Sequence, residues 1–118
     1  MNYLMVGSIM GLIVVVLGAF GAHGLKEILS EYEKSIYNKA VLYQMFHTIA
    51  ILLVGVLNRI DSNLELFIPG FCFFIGIIIF SGSLFIIAIT GIKSFGMITP
   101  LGGLFFIFGW ITLMLKTI

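Results

Sequence analysis

Four long stretches of the chain contain no Asp, Glu, Lys or Arg, and together they occupy nearly all of its 118 residues. They are Met1–Leu25, Ala40–Asn58, Leu66–Ile92 and Ser94–Leu115. Each reaches or exceeds the ~17–25 residues that a helix needs to cross a hydrocarbon layer of ~30 Å. A helix also satisfies its backbone hydrogen bonds internally, as a lipid-facing segment must. The sequence therefore predicts an all-α integral membrane protein, a four-helix up-down-up-down bundle.

The composition excludes several classes of protein. Hydrophobic residues make up 61% of the chain and charged residues 9%, whereas soluble domains carry about 25% charged residues. The net charge is +1 with only 6 Lys and Arg, too few for the basic face that a nucleic-acid partner needs. The single Cys72 lies in an apolar run and is interpreted as a small buried hydrophobe. The composition leaves one membrane domain and no soluble catalytic module.

We expect a single domain over residues 1–118, with spans at about residues 3–24, 40–58, 66–90 and 96–115. The first stretch lacks a basic start and is longer than the core of a signal peptide, so we expect it to remain as a helix. Between the first two spans, residues 26–38 have apolar side chains at helical spacing and a charged opposite face. This pattern predicts a short amphipathic helix lying in the membrane interface. The alternative is a solvated loop whose tyrosines anchor the neighbouring spans.

The distribution of Lys and Arg predicts the orientation of the bundle. Cytoplasmic loops carry the excess of these residues. The first and third connectors have four of them, and the opposite side of the membrane has two. We therefore expect connectors one and three in the cytoplasm. The residues are Lys26, Lys34, Lys39 and Lys93 on the first side, and Arg59 and Lys116 on the second.

Small residues indicate where helices pack closely. In the first stretch, four of them share one helical face, and such faces let backbones approach in lipid. The partner of this face could be another helix of the chain or the same helix of a second copy, and we expect a homo-oligomer that self-associates through the face of Gly7, Gly11 and Gly18. The predicted helix-packing residues are Gly7, Gly11, Gly18, Ala22, Ser81, Gly82, Ser83, Gly102 and Gly103.

Polar side chains inside the predicted spans are concentrated at one side of the bundle. Such groups are unfavourable in lipid and often mark function. In an antiparallel bundle they lie in the same half of the membrane, the half predicted to be cytoplasmic. The imidazole and carboxamide groups among them are expected to meet. The candidate ligand-binding or packing cluster comprises His23, Tyr43, Gln44, His47, Thr48, Thr90 and Thr99.

Four interpretations of this cluster remain open. The side chains could hydrogen-bond one another and neighbouring helices as packing groups. They could bind a lipid headgroup or small ligand beside Lys26 and Lys39. The histidines could carry protons or gate a solute in an oligomeric transporter or channel. They could also ligate haem iron or a metal, although no ligand spacing supports this. We predict no metal and no cofactor.

Several motifs resemble one small family of membrane proteins. In the first half they are Gly18-Ala19-Phe20-Gly21-Ala22-His23-Gly24-Leu25, Lys39-Ala40 and Tyr43-Gln44-Met45-Phe46-His47. In the second half they are Phe80-Ser81-Gly82-Ser83-Leu84, Ile98-Thr99-Pro100-Leu101-Gly102-Gly103 and Gly109-Trp110. The whole chain resembles the family catalogued as domain of unknown function 423, which is similar to a small transmembrane protein of animals. Phe85 and Tyr37 depart from its common Tyr and Trp.

The resemblance implies a protein of the bacterial cytoplasmic membrane, without an activity or catalytic residue to carry over. No nucleophile–base pair, phosphate loop or carboxylate pair is visible in the sequence, so we do not expect an enzyme. We expect a small membrane protein whose polar cluster organises helix packing and binds a small ligand or a proton. An oligomeric transporter or channel is the alternative, and a haem or metal protein the third.

Overall fold

A computed structural model describes residues 1–118. It contains four helical segments that are long and apolar enough to cross a membrane, and it contains no strand. The predicted all-α four-span architecture is therefore confirmed. The first span is α1 (Tyr3–His23), the second is α2 (Glu31–Ile60) and the fourth is α5 (Thr99–Thr117). The third span consists of α3 (Phe67–Gly76), a π-helical turn (Ile77–Ser81) and α4 (Gly82–Thr90). Short 3-10 segments at Ser62–Leu64 and Lys93–Met97 precede the third and fourth spans.

Local sequence signals set the ends of these helices. The Asn2 side chain accepts a hydrogen bond from the Met5 backbone N–H at the start of α1. Ser30 and Glu33 form a reciprocal capping box at the start of α2, which satisfies two otherwise unpaired backbone donors. Gly91, with φ of 72°, ends the third span in the left-handed conformation that glycine adopts without strain.

The second and third spans form the centre of the bundle. The first span packs on the second, and the fourth packs on the third. Half of an apolar 18-residue stretch of the third span is buried, compared with 17% of the corresponding stretch of the first span. Gly7 lies beside Leu52 while Gly21 lies beside Tyr37, so the first two helices run in opposite directions. Consecutive spans are neighbours, as short connectors dictate.

The small-residue face of α1 is covered by α2 of the same chain. This is a correction to the expectation of self-association through that face, since the surface is already occupied. Ala22 is exposed and lies outside this contact. A Cβ at Gly7 would lie 2.6 Å from a side-chain atom of its partner, so a larger residue there would require that side chain to move. The partners are Leu52 for Gly7, Thr48 for Gly11 and Val41 for Gly18.

The first connector differs from its prediction. No separate interfacial helix forms over residues 26–38, because α2 begins at Glu31 and continues unbroken through the second span. The capping box at Ser30 starts the helix, and no Pro or Gly interrupts it before the apolar stretch. Tyr37 is 2% exposed and donates a hydrogen bond to the Leu17 backbone carbonyl. It therefore joins the first two helices instead of anchoring at the headgroups.

Ser81, Ser83 and Gly102 join the third span to its neighbours, whereas the predicted packing residue Gly82 makes no close contact with another helix. Ser81 donates a hydrogen bond to the Ala40 carbonyl of α2 over 2.8 Å, and Ser83 is hydrogen-bonded to Thr99 of α5. Gly102 lies against the backbone of Phe80. Two glycines have more room: a Cβ at Gly82 would contact nothing within 4 Å, and a Cβ at Gly103 would lie 3.9 Å from the Phe80 ring.

Candidate functional site

His47 is the buried polar side chain around which three helices meet. The Trp110 indole N–H of α5 donates to His47 Nε2 over 3.1 Å. The other ring nitrogen, Nδ1, lies 2.9 Å from the Tyr43 carbonyl oxygen. Because an indole nitrogen is only a donor, Nε2 must be unprotonated and Nδ1 must carry the proton that bonds to Tyr43. The arrangement fixes a neutral imidazole with both nitrogens satisfied.

Aromatic rings enclose this imidazole. The Phe106 ring stacks on it, with a centroid separation of 3.5 Å and an interplanar angle of 7°. Phe73 and Phe46 contact it with centroids at 5.7 Å and 5.1 Å. Phe106 is close to the middle of α5, so His47 is level with the middle of that span, in agreement with its near-central position in the second apolar stretch.

A groove opens beside this aromatic cluster, between α2 and α5, with the third span as its floor. Its volume is about 590 Å³, within the ~300–1,000 Å³ that is typical of small-molecule sites. No Asp, Glu, Lys or Arg lines it, and its polar side chains are Tyr43 and His47. The lining residues are Leu42, Tyr43, Phe46, His47, Phe80, Gly103, Phe106, Ile107 and Trp110.

Gln44 and Thr48 face away from the groove, toward α1. Gln44 Nε2 lies 3.4 Å from the Met10 carbonyl oxygen and donates to it, which ties the second helix to the first. Thr48 is 2% exposed, and its hydroxyl has no hydrogen-bond partner. Both residues are therefore packing groups of the α1–α2 contact, and neither can reach a molecule in the groove.

The structure does not bring the whole predicted cluster together. His23 is exposed at the end of α1 and forms no hydrogen bond with Gln44 or His47. Thr90 is exposed and bonds back to the Ile86 carbonyl of its own helix. Thr99 is hydrogen-bonded to Ser83, near the start of α5. The cause is depth: His23, Thr90 and Thr99 lie near helix ends, while His47 lies at mid-span.

Sequence reasoning missed the residues that complete the site. The general preference of tryptophan for the membrane interface would place Trp110 at the far end of the fourth span, yet its indole N–H points inward to His47. Phe80 and Phe106 have no distinguishing feature in the sequence, yet both line the groove. One signal was present: Gly109 precedes Trp110, and it leaves the space that Phe73 fills. A glycine beside the only tryptophan indicates close packing more than interface anchoring.

Thr48 provides a test of the packing assignment. We expect Thr48→Val to raise the free energy of unfolding by about 1 kcal/mol, since valine keeps the shape and removes an unpaired buried hydroxyl. The control is Thr99→Val, which loses the bond to Ser83 and should be destabilised by about as much. Unfolding in mild detergent measures both variants. A less stable Thr48→Val protein would mean that the hydroxyl has a partner, such as a buried water.

Two sequence comparisons show what the chain is similar to. The model of a family described as "Protein of unknown function (DUF423)" matches residues 17–103. A UPF0382 membrane protein of Staphylococcus aureus is 44% identical over 115 residues, covering 98% of this chain and 93% of that protein. Those of Staphylococcus haemolyticus and Staphylococcus epidermidis are 42% and 40% identical, covering 98% of this chain and 93% and 94% of theirs. No solved structure matches the chain.

Proposed function

The chain belongs to the DUF423 family of small membrane proteins, and we propose that it binds a small, uncharged, membrane-soluble molecule in the groove between α2 and α5. One observation carries the proposal: an aromatic-lined groove of about 590 Å³ with no charged lining residue lies between two of the membrane-spanning helices. Ligand sites combine apolar and aromatic walls with a few polar groups. Tyr43 and His47 are those groups here.

The state of His47 supports binding over proton or metal chemistry. Both ring nitrogens are already hydrogen-bonded within the chain. A metal ion or an added proton at Nε2 would have to displace the Trp110 indole, leaving its N–H unpaired in an apolar environment. A molecule in the groove can instead leave this bond intact. We accordingly infer a binding role and not a catalytic one.

The single tryptophan of the chain allows a direct test, because Trp110 lines the groove. The probe is 1,4-dibromobenzene, an apolar ring whose heavy atoms quench indole fluorescence. With the protein in lipid nanodiscs, probe that dissolves in the lipid quenches Trp110 in proportion to its concentration. We expect, in addition, quenching that saturates with probe concentration, because the groove fills. Gly103→Leu, which extends a side chain into the groove, should remove the saturable component.

Gly82→Leu is the matched control, because it adds the same atoms where a Cβ meets nothing within 4 Å. It should quench as the wild type does. Ile107→Phe is a second variant that fills the groove, at a position that is 58% exposed. It replaces Gly103→Leu in the test if that variant does not fold. Purely linear quenching in the wild type, or saturable quenching in both filled variants, would contradict groove binding.

Localisation and assembly are the remaining parts of the proposal. We propose a protein of the bacterial cytoplasmic membrane with connectors one and three in the cytoplasm, supported by their four lysines against Arg59 and Lys116. Any homo-oligomer would use the outer surfaces of α1 and α5. Only 17% and 22% of the apolar 18-residue stretches of the first and fourth spans are buried, and α2 covers the glycine face of α1.

A further inference from the structure

We infer that the π-helical turn of the third span, Ile77–Ser81, positions Phe80 in the lining of the groove, and that the turn holds one removable residue. This inference rests on the proposed function and adds the element that shapes the site. Its basis is the hydrogen-bond register: the Gly82 N–H donates to the Ile77 carbonyl, five residues earlier, as well as to that of Ile79. An α-helix makes the longer of these bonds over four residues, so the turn contains one more residue than an α-helical turn.

Phe80 lies inside this turn and reaches the groove. Its ring contacts the Tyr43 ring of α2, with centroids 4.6 Å apart, and the Phe106 ring of α5, with centroids 5.4 Å apart. These are the helices on either side of the groove. The wide turn spreads one extra residue over its length, so its side chains point in directions that a regular α-helix does not offer. The direction of the Phe80 ring, and with it the shape of the groove, therefore depends on the turn.

Both neighbouring helices hold the turn in place. The Ser81 hydroxyl donates to the Ala40 carbonyl of α2 over 2.8 Å, and this bond is buried. On the other side, Gly102 of α5 lies against the Phe80 backbone, where a Cβ would lie 2.8 Å from the Phe80 Cα. The lining of the groove includes neither Ser81 nor Gly102. Both therefore act on a bound molecule through the turn, as positioning residues.

The extra residue leads to an unusual expectation for deletions. In a regular α-helix, removing one residue rotates everything beyond it by about 100°, which turns buried side chains toward the lipid. In the π-helical turn, removing one residue returns the chain to the α-helical register. The two flanking helices, α3 and α4, then keep the faces that they present to their neighbours. Only the side chains within the turn, Phe80 among them, change direction.

The first experiment compares two deletions, each of one exposed isoleucine near the middle of a span. Ile78, which is 51% exposed, lies in the turn, and Ile49, which is 60% exposed, lies in the regular helix α2. We expect the protein without Ile78 to unfold cooperatively, at nearly the same fraction of denaturing detergent as the wild type. The protein without Ile49 should lose cooperative unfolding, because this deletion turns the buried Ile51 and Val54 outward.

The second experiment tests positioning through binding of 1,4-dibromobenzene in nanodiscs, with Trp110 fluorescence as the signal. We expect deletion of Ile78 to weaken saturable binding about tenfold, the equivalent of one aromatic contact. Ser81→Ala keeps the chain length and removes the bond to Ala40, and it should weaken binding about fivefold, the equivalent of one hydrogen bond. The matched control is Ser8→Ala, which removes an exposed hydroxyl bonded within its own helix and should bind as the wild type does.

The two experiments separate the inference from the function on which it rests. If the two deletions have the same effect on unfolding, or if either the protein without Ile78 or Ser81→Ala binds the probe as tightly as the wild type, the role of the turn is overturned while groove binding stands. If the wild type shows only quenching proportional to probe concentration, groove binding itself falls. The two deletions then still decide whether the turn holds a removable residue.

Discussion

Gly102→Ala is expected to lower the free energy of unfolding by about 3 kcal/mol, the upper range for overpacking a tight contact. A Cβ at this position would lie 2.8 Å from the Phe80 Cα and closer still to its backbone N. Backbone atoms cannot rotate away as the end of a flexible side chain can. The fourth span would therefore have to move away from the third, and the contact between them would loosen along its length.

The adjacent glycine provides the control for this prediction. A Cβ at Gly103 would lie 3.9 Å from the Phe80 ring, an ordinary contact distance. Gly103→Ala should therefore change stability by no more than about 1 kcal/mol, in the stabilising direction, since alanine favours the helix. Titration with a denaturing detergent, followed by helical circular dichroism, measures both variants. Equal stability of the two alanine variants would contradict the close approach at Gly102.

The four spans could be predicted because the physical signal is strong and local. A charge-free stretch long enough to cross the bilayer has one favourable conformation there, a helix. Short connectors then make consecutive helices antiparallel. The glycine face of α1 was also recognised from spacing alone. Its partner was not, because the sequence does not distinguish a second copy from α2, whose Leu52 fits against Gly7.

The candidate site was predicted only in part, and depth explains why. Gln44, His47 and Thr48 share one region of α2, and all three are buried. The sequence could not show that Gln44 and Thr48 turn toward α1 while His47 turns toward α5, because adjacent helical positions differ by about 100°. His23 was grouped with them from its position in the chain. It lies instead at the exposed end of its helix.

Trp110 and the first connector show the limits of statistical preferences. Tryptophan favours the membrane interface, yet an acceptor at mid-depth, His47 Nε2, draws its indole N–H into the bundle. Amphipathic segments favour the interface plane, yet a capping box at Ser30 followed by uninterrupted helix-compatible residues extends α2 to Glu31. In both places a specific hydrogen bond outweighs the general preference, and only the assembled structure reveals it.

His47→Ala is expected to produce the largest loss of stability, about 4 kcal/mol. Truncating a buried ring leaves a cavity beside Phe106, and large-to-small changes of this kind cost ~2–5 kcal/mol. The Trp110 indole N–H also loses its acceptor in aromatic surroundings, which leaves an unsatisfied donor. His23→Ala is the matched control: the same side chain is removed from an exposed position, and stability should remain within about 0.5 kcal/mol of the wild type.

A second signal separates the loss of the hydrogen bond from the loss of packing. Because Trp110 is the only tryptophan, all indole emission comes from the ring that bonds to His47, and loss of the acceptor in these apolar surroundings should shift the emission to shorter wavelength. His47→Phe keeps an aromatic ring against Phe106 but offers no acceptor, so it should shift the emission as His47→Ala does while losing about half as much stability. If His47→Ala were as stable as His23→Ala, with unchanged emission, His47 would not be the group that joins the second and fourth spans.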